Sequence, residues 1–178
     1  MRIVSGKFKG RRITAPSNLP VRPTTDMAKE ALFNILNNSY FLEEVSVLDL
    51  FAGIGSISFE FASRGCTDIV AIDAHFGCIK FLEKTNNQLD AGLQTVKSDV
   101  FSFLEKNTRK FDIIFADPPY DMEQERFERL VSLVFDKNLL HEDGILIVEH
   151  GKQTELSGLP NFEQARKYGG NVFSFFKA

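Results

Sequence analysis

The chain of 178 residues has no tryptophan, only two cysteines and three histidines. Cys66 and Cys78 are too few for a disulfide framework, and no cysteine or histidine cluster has the spacing of metal ligands. No apolar run is long enough to cross a bilayer, and the opening MRIVSGKFKGRR lacks the apolar stretch of a signal peptide. We therefore predict a cytoplasmic protein with two reduced structural thiols, no metal and no membrane contact.

Phenylalanine is abundant, with 18 residues, in a composition that is otherwise ordinary for a globular protein. The length suits one domain with its own hydrophobic core, so we predict a single domain over residues 1–178. We assign the phenylalanines to the packing of that core. We expect a monomer, because no large apolar face is left over.

Charge is unevenly distributed along the chain. Residues 1–25 contain six basic side chains and no acidic one, which leaves 15 basic and 24 acidic residues in the remainder. The net charge of −3 argues weakly against nucleic-acid binding, but a basic arm on an acidic body can still hold phosphates. The alternative is a solvated surface hairpin.

The N-terminal part is predicted to be a small β-hairpin followed by a helix. Short β-prone runs are separated by Gly6 and Gly10 within residues 2–16. Thr25 or Asp26 then caps a helix over MAKEALFNILNN, whose apolar residues recur at helical spacing. We divide the chain into an N-terminal appendage and a larger body, at residues 1–38 and 45–178.

The body alternates apolar strands with helices, which predicts an α/β fold with a doubly wound, mostly parallel sheet of seven strands. The helices are expected over ISFEFASRG, residues 75–88, VFSFLEK and EQERFERLVSLVFD. The last two strands should form an antiparallel edge hairpin joined at Gly169 and Gly170. The predicted strands are VSVLDL, DIVAID, LQTVKSD, FDIIFAD, GILIVEH, FEQARKY and NVFSFFKA.

Four of the predicted strands carry an aspartate at their end or one residue before it: Asp49, Asp73, Asp99 and Asp117. The carboxyl ends of parallel strands lie on one edge of a sheet, where doubly wound folds bind their ligands. Any one of these residues is more simply a helix cap. Four carboxylates on one rim are better explained by a ligand that carries positive charge and hydroxyl groups.

The loop after the first strand, AGIGS, indicates which ligand this is. Gly53 and Gly55 allow close approach of the backbone, but Ser58 stands where a dinucleotide fingerprint has its third glycine. A pyrophosphate-bearing cofactor is therefore not favoured. A nucleoside with a cationic group and no phosphate fits, and S-adenosylmethionine is one. Asp73 would bind its ribose, Asp99 its adenine amino group with Val100 against the ring, and the glycine loop near Asp49 its methionine end.

The stretch FADPPYD places a carboxylate, two prolines and an aromatic ring directly after a strand. Prolines fix their own φ and donate no backbone N–H, so this corner is stiff and presents acceptors only. A purely structural interpretation, a strand followed by a turn, does not explain why the aromatic ring of Tyr120 follows the two prolines. Tyr120 would instead pack on the next helix if it had no ligand.

DLFAGIG and DPPY resemble the class I S-adenosylmethionine-dependent methyltransferases that act on exocyclic amino nitrogens of bases. The order of MRIVSGKFKGRRI, RPTTD, DLFAGIGS, FADPPYD, VEH and KYGGNVFSFF is similar to that of the RsmD family, over essentially the whole chain. The resemblance implies a Rossmann-like fold and methylation of a guanine N2 in small-subunit ribosomal RNA. The partner would be ribosomal RNA or the assembling small subunit.

The resemblance and the residues together assign the site. Asp117 and the Pro118 carbonyl would accept from the target amino group while Tyr120 stacks on an unpaired base; the proton leaves to Asp117 or to water. RPTTD is a candidate lid over the cofactor. The cofactor residues are Asp49, Phe51, Ala52, Gly53, Gly55, Asp73, Asp99, Val100 and Asp117; the substrate residues are Arg11, Arg12, Arg22, Thr24 and Tyr120.

Three alternatives stay open at this point. The motifs fit an amino methyltransferase with another target, either a different RNA guanine or adenine N6 in DNA. A nucleotide-dependent oxidoreductase would fit the fold, although Ser58 counts against it. A non-catalytic RNA-binding module would fit the basic arm, although the intact DPPY counts against it.

Overall fold

The structure, a computed structural model, describes residues 1–22 and 24–178. Pro23, the second residue of the predicted RPTTD lid, lies outside the described residues. The elements run in the order α1 (Asp26–Asn37), β1 (Ser46–Leu50), α2 (Ser56–Ser63), β2 (Asp68–Asp73), α3 (Phe76–Leu89), β3 (Gln94–Lys97), α4 (Val100–Lys106), β4 (Phe111–Ala116), α5 (Gln124–Asp136), β5 (Leu140–Gly151), β6 (Phe162–Tyr168) and β7 (Asn171–Lys177).

The seven strands form one sheet in the order β3-β2-β1-β4-β5-β7-β6. The first five are parallel, whereas β7 runs antiparallel to both β5 and β6. The predicted α/β fold and its antiparallel edge hairpin are confirmed. The chain order reverses between β1 and β4, and crevices at such a reversal are where open parallel sheets bind ligands.

Alternation along the strands divides the core into two layers. In β1, Val47 packs on the face that α1, α2 and α3 cover, while Leu48 packs on the face that α4 and α5 cover. Most phenylalanines of the strands and of α2 are buried in these layers, which agrees with their expected role in the core. Each such ring contributes roughly 1.5–3 kcal/mol to the free energy of unfolding.

The N-terminal segment is less regular than predicted. Its two arms pair antiparallel through the bridge between Arg2 and Arg12 and through hydrogen bonds that Ile3 makes with Arg11 and Gly10, but no regular strands form within residues 2–16. The reason lies in α2, which competes for the backbone donors of the segment. The Glu60 carboxyl accepts from the N–H groups of Val4 and Ser5 at 2.9 and 3.0 Å.

Further contacts fix this segment on α2. Ser63 receives the N–H of Lys7 on its carbonyl and that of Phe8 on its hydroxyl. Gly6, with φ +84°, passes so close that a Cβ there would lie 1.9 Å from the Ser63 carbonyl oxygen. The basic arm is therefore held rigidly against the body. The helix that follows starts as predicted, with the Thr25 side chain accepting from the Ala28 N–H.

Both cysteines are free and buried, and burial raises the pKa of each thiol to about 11. Within the described part of the chain, no helix combines the length and the apolar character that a membrane crossing needs.

Candidate active site

A cavity of about 900 Å³ opens at the carboxyl ends of the parallel strands, over the reversal between β1 and β4. It collects residues from six strands (β1, β2, β4, β5, β6 and β7) and from the segment that precedes α1. Of the residues predicted from the sequence, those that line it are Arg22, Thr24, Asp49, Phe51, Ala52, Gly53, Asp73, Asp99, Val100, Asp117, Pro118 and Tyr120. Arg11, Arg12 and Gly55 are not among the lining residues.

The loop after β1 is held against β2 by hydrogen bonds that its backbone N–H groups donate, and the Ala52 N–H bonds to the Ile72 carbonyl oxygen. Phe51, Gly53 and Gly55 all adopt left-handed conformations, with φ of 59°, 57° and 85°. One oxygen of Asp73 accepts from the Gly53 N–H and the other from the His75 N–H, both at 2.8 Å. Asp73 thus ties the loop to the start of α3, and each of its oxygens keeps a lone pair for a ligand hydroxyl.

Gly55 packs closely against the core. A Cβ at this position would lie 2.6 Å from both the Phe59 ring and Leu82 Cδ2, inside the core. Gly55 also begins α2 as its N-cap, without a side-chain hydrogen bond. Gly55 does not line the cavity, and its contact with the cofactor stays a prediction.

Asp49 lies one residue before the end of β1, which ends at Leu50, the last residue of the predicted strand VSVLDL. Its side chain is 2% exposed, and it accepts a hydrogen bond of 2.5 Å from the Ser58 hydroxyl. Burial raises the pKa of Asp49 to about 7, against the lowering effect of the Ser58 hydrogen bond. The serine at the third fingerprint position therefore holds a carboxyl, a role that spacing alone could not predict.

Asp99 differs from the prediction. β3 ends at Lys97, and Asp99 is the N-cap of α4, where its carboxylate accepts from the Ser102 N–H at 2.9 Å. A capping aspartate and a strand-end aspartate look the same in sequence, because both follow an apolar run and precede a helix. Asp99 is exposed at the cavity rim, and the adjacent Val100 is buried.

Asp117 lies directly after β4 and is half-buried in the cavity. Among residues 1–22 and 24–178, no group donates a hydrogen bond to its carboxyl. Burial, and then the negative charges of Glu149 and Asp49, raise its pKa well above the ordinary value, and Arg22 opposes this. Such a carboxyl is poised to take a cation or an N–H donor from a ligand.

The Pro118–Tyr120 corner presents an unusual surface. Pro118 is buried and Pro119 is exposed. Tyr120 has 76% of its surface exposed at the mouth of the cavity. The ring therefore does not pack on α5, which removes the simpler explanation for this residue.

Glu149 is a site residue that sequence reasoning missed. It is 3% exposed in β5, lines the cavity, and accepts from the Thr24 hydroxyl at 3.0 Å and from the Asn171 side-chain N–H at 2.8 Å. Burial raises its pKa, whereas these two donors and Arg22 lower it. The only sequence clue was an acid inside the apolar run GILIVEH, where an unpaired charge is costly.

The comparisons with known proteins place this chain in a family. The family described as "Conserved hypothetical protein 95" matches residues 1–177. The chain belongs to this family. The RsmD-family resemblance of its motifs is thereby confirmed.

Individual relatives are similar over nearly the whole chain. A Bacillus subtilis (strain 168) protein, provisionally named rRNA methyltransferase YlbH, is 34% identical over 88% of this chain and 85% of its own. Ribosomal RNA small subunit methyltransferase D of Escherichia coli (strain K12) is 30% identical, over 90% and 79%. The solved structure of an Escherichia coli protein provisionally named methyltransferase yhhF has a TM-score of 0.86 at 29% identity, covering 99% of this chain and 97% of that one.

The predicted substrate residues of this RsmD-family member occupy three different settings. Arg22 is exposed at the cavity, close enough to influence the ionisation of Asp117 and Glu149. Thr24 is buried, and its hydroxyl is used by Glu149. Arg11 and Arg12 are exposed outside the cavity, on the arm that α2 anchors.

His150 lines the same cavity but is engaged with the protein. Its ring nitrogens lie 2.7 Å from the Ser174 hydroxyl and 2.9 Å from the Gly151 carbonyl oxygen, and burial lowers its pKa. In the described residues, no group of three or more His, Cys, Asp or Glu side chains is arranged to hold a metal ion.

Proposed function

We propose that this RsmD-family protein transfers a methyl group from S-adenosylmethionine to the exocyclic N2 amino group of a guanine in small-subunit ribosomal RNA. The observation that carries the proposal is the Asp117 carboxyl. It has no donor within the described protein, and it faces the cavity that also contains the glycine loop. The small-subunit target is supported by the name of the Escherichia coli relative.

The donor set of the cavity fits S-adenosylmethionine. Asp49, Asp117 and Glu149 all have raised pKa values in one cavity, so a cationic ligand is favoured there by electrostatics. When bound, S-adenosylmethionine supplies an electrophilic methyl group on a sulfonium. The ribose hydroxyls are assigned to the free lone pairs of Asp73, and the adenine to Asp99 and Val100 at the rim.

The corner formed by Asp117, Pro118 and Pro119 binds and orients the nucleophilic amino group. Guanine N2 is a weak nucleophile because its lone pair is delocalised into the ring. The Asp117 carboxylate and the Pro118 carbonyl accept the amino hydrogens, which favours a pyramidal nitrogen with its lone pair free. Neither Pro118 nor Pro119 has an N–H that would compete. Catalysis then rests on positioning and electrostatics, and the released proton leaves to Asp117 or to water.

Two further surfaces serve the RNA. The exposed Tyr120 ring at the cavity mouth stacks on the unpaired base, which contributes about 1–3 kcal/mol per base in single-stranded sites. Arg11 and Arg12 contact phosphates beside the site, since the arm that carries them is fixed on α2. Of the predicted lid, Arg22, Thr24 and Thr25 line the cavity, and the Thr24 hydroxyl donates to Glu149; these residues would cover the cofactor from the N-terminal side.

The test is transfer of tritiated methyl groups to unmodified small subunits, with the labelled nucleoside identified afterwards. Naked ribosomal RNA and DNA serve as competing substrates. We expect label in N2-methylguanosine, and a loss of roughly 10²–10³-fold in kcat/KM for Asp117→Asn.

The matched control is Asp121→Asn, four residues further on and exposed, which should keep the wild-type rate. Label in N6-methyladenine of DNA would replace the proposed substrate with the alternative one. Full activity of Asp117→Asn would refute the proposed role of the corner. Calorimetric binding of NAD in place of S-adenosylmethionine would point instead to an oxidoreductase.

A further inference from the structure

Glu149 lies beside Asp117 on the edge of the sheet. Ala116, the last residue of β4, is paired in register with Val148 of the parallel strand β5; Asp117 directly follows Ala116, and Glu149 follows Val148 within β5. Neighbouring strands are about 4.8 Å apart, so the two side chains enter the cavity side by side. Both residues line the cavity.

Two hydrogen bonds fix the Glu149 carboxyl in place, but they do not use all of its acceptor positions. Thr24 holds Oε2 and Asn171 holds Oε1. A carboxylate has about four acceptor positions, so one on each oxygen remains. Among the described residues, no ion pair within 4.0 Å neutralises it. A buried acid with spare acceptor capacity indicates a ligand donor.

Resting on the proposed function, we propose that Glu149 makes the site selective for guanine by accepting a hydrogen bond from the ring N1–H. Asp117 takes the neighbouring N2 amino group. The guanine edge offers these two kinds of N–H donor next to each other, and the two adjacent carboxyls match them.

The same arrangement rejects the other amino-bearing bases. In adenine the ring nitrogen next to the amino group is N1, and in cytosine it is N3; both carry a lone pair and no hydrogen. Bound with the amino group at Asp117, either base would set that lone pair against the Glu149 carboxylate. Hydrogen-bond matching of this kind discriminates between bases by roughly 10- to 100-fold.

The test uses 2-aminopurine, which keeps the reactive 2-amino group but has an unprotonated N1. Small subunits are reconstituted with guanine or 2-aminopurine at the nucleotide that the labelling experiment identifies. The wild-type protein should methylate the guanine form at least tenfold faster, by kcat/KM.

Glu149→Gln should reduce or invert this preference. The amide can donate one N–H to the unprotonated N1 and the other to Thr24, whose hydroxyl can reverse its direction. Glu163→Gln, exposed on the edge strand β6, is the matched control and should keep the wild-type preference. S-adenosylmethionine binding by calorimetry verifies that the variant is folded.

The outcomes separate the two proposals. No transfer to any guanine by the wild-type protein would refute the proposed function. Wild-type activity on guanine, with an unchanged guanine to 2-aminopurine ratio in Glu149→Gln, would overturn the role of Glu149 alone. If the variant is inactive, the same ratio is measured from equilibrium binding of the two subunits, and a ratio equal to that of the wild type would again overturn it.

Discussion

Lys29 in α1 and Glu60 in α2 form an ion pair in which both side chains are fully buried, with Nζ 3.6 Å from Oε2. Lys29 Nζ also donates to the Arg2 carbonyl at 2.6 Å and lies 3.3 Å from the Ser56 hydroxyl. Arg64 provides a second cation for Glu60 at 3.0 Å. The pair therefore joins the N-terminal arm, α1 and the body at one enclosed point.

Lys29→Met should lower the free energy of unfolding by about 3 kcal/mol, the lower end for a broken buried pair, because Arg64 still compensates Glu60. Urea denaturation followed by circular dichroism measures the change. Lys84→Met, exposed on α3, is the control and should change stability by less than about 0.5 kcal/mol. Equal stabilities of the two variants would show that the pair contributes nothing.

Stability without ligand should fall as pH rises from about 4 to about 7. The pKa of Asp49 is about 7 in the folded state against 3.8 as a free group, so between these values the folded protein holds a proton that the unfolded chain releases. Asp117 and Glu149 act in the same direction.

Asp49→Asn should therefore flatten this slope and be more stable than the wild type at pH 8, because its amide stays neutral. Thermal unfolding across pH measures the effect. Asp136→Asn, exposed at the end of α5, is the matched control. A slope in Asp49→Asn identical to that of the wild type would contradict the prediction.

Gly55→Ala and Gly10→Ala separate packing from backbone strain. Both glycines have nearly the same φ, +85° and +82°, but a Cβ meets Phe59 and Leu82 at position 55 and nothing within 4 Å at position 10. Gly10→Ala should lower the free energy of unfolding by about 1–2 kcal/mol. Gly55→Ala should lose roughly 1–3 kcal/mol more in the same urea titration. Equal losses would mean that the core adjusts to the methyl group.

Tyr120→Ala should weaken RNA binding by about 1–3 kcal/mol, and Tyr120→Phe should restore most of it, because stacking needs the ring and not the hydroxyl. Thermal stability should not change, since the side chain is largely exposed. Phe41→Ala, equally exposed but outside the cavity, is the control for a general effect of removing a surface ring. Wild-type affinity in Tyr120→Ala would remove stacking from the mechanism.

Arg11→Ala should reduce RNA affinity and make the dependence of log K on log[salt] shallower by about 1, as expected for one lost phosphate contact. Calorimetric binding of S-adenosylmethionine should be unaffected, because Arg11 lies outside the cavity. Lys106→Ala, exposed in α4 on the other face of the sheet, should leave the salt dependence as it is. An unchanged slope in Arg11→Ala would leave the arm without a role in RNA binding.

The sequence predicted the elements well where one local rule decides them. The strand FDIIFA is apolar except for Asp112 and is followed by a proline corner, and Thr25 caps α1 by a bond within its own turn. The hairpin predicted for residues 2–16 forms without regular strands, because several of its backbone donors are taken by Glu60 and Ser63, which lie more than 50 residues away.

In the candidate site, too, the sequence predicted residues that a local motif places and missed a residue that distant contacts place. Asp73 is the last residue of β2 and Asp117 directly follows β4, as a short motif can reveal. Glu149 could not be predicted as a site residue, because Thr24 and Asn171, which donate hydrogen bonds to it, come close only in the folded chain. Asp99 was placed on a strand end because the pattern of residues does not distinguish that position from a helix cap.

The position of β7 between β5 and β6 has a consequence for synthesis. The ribosome makes β5 and β6 first, yet β5 has no partner on its outer side until residues 171–177 emerge from the exit tunnel. Asn171, which donates a hydrogen bond to Glu149, is the first residue of β7. The glycine loop and the proline corner are therefore synthesised well before β7, and the cavity is complete only when β7 has paired with β5.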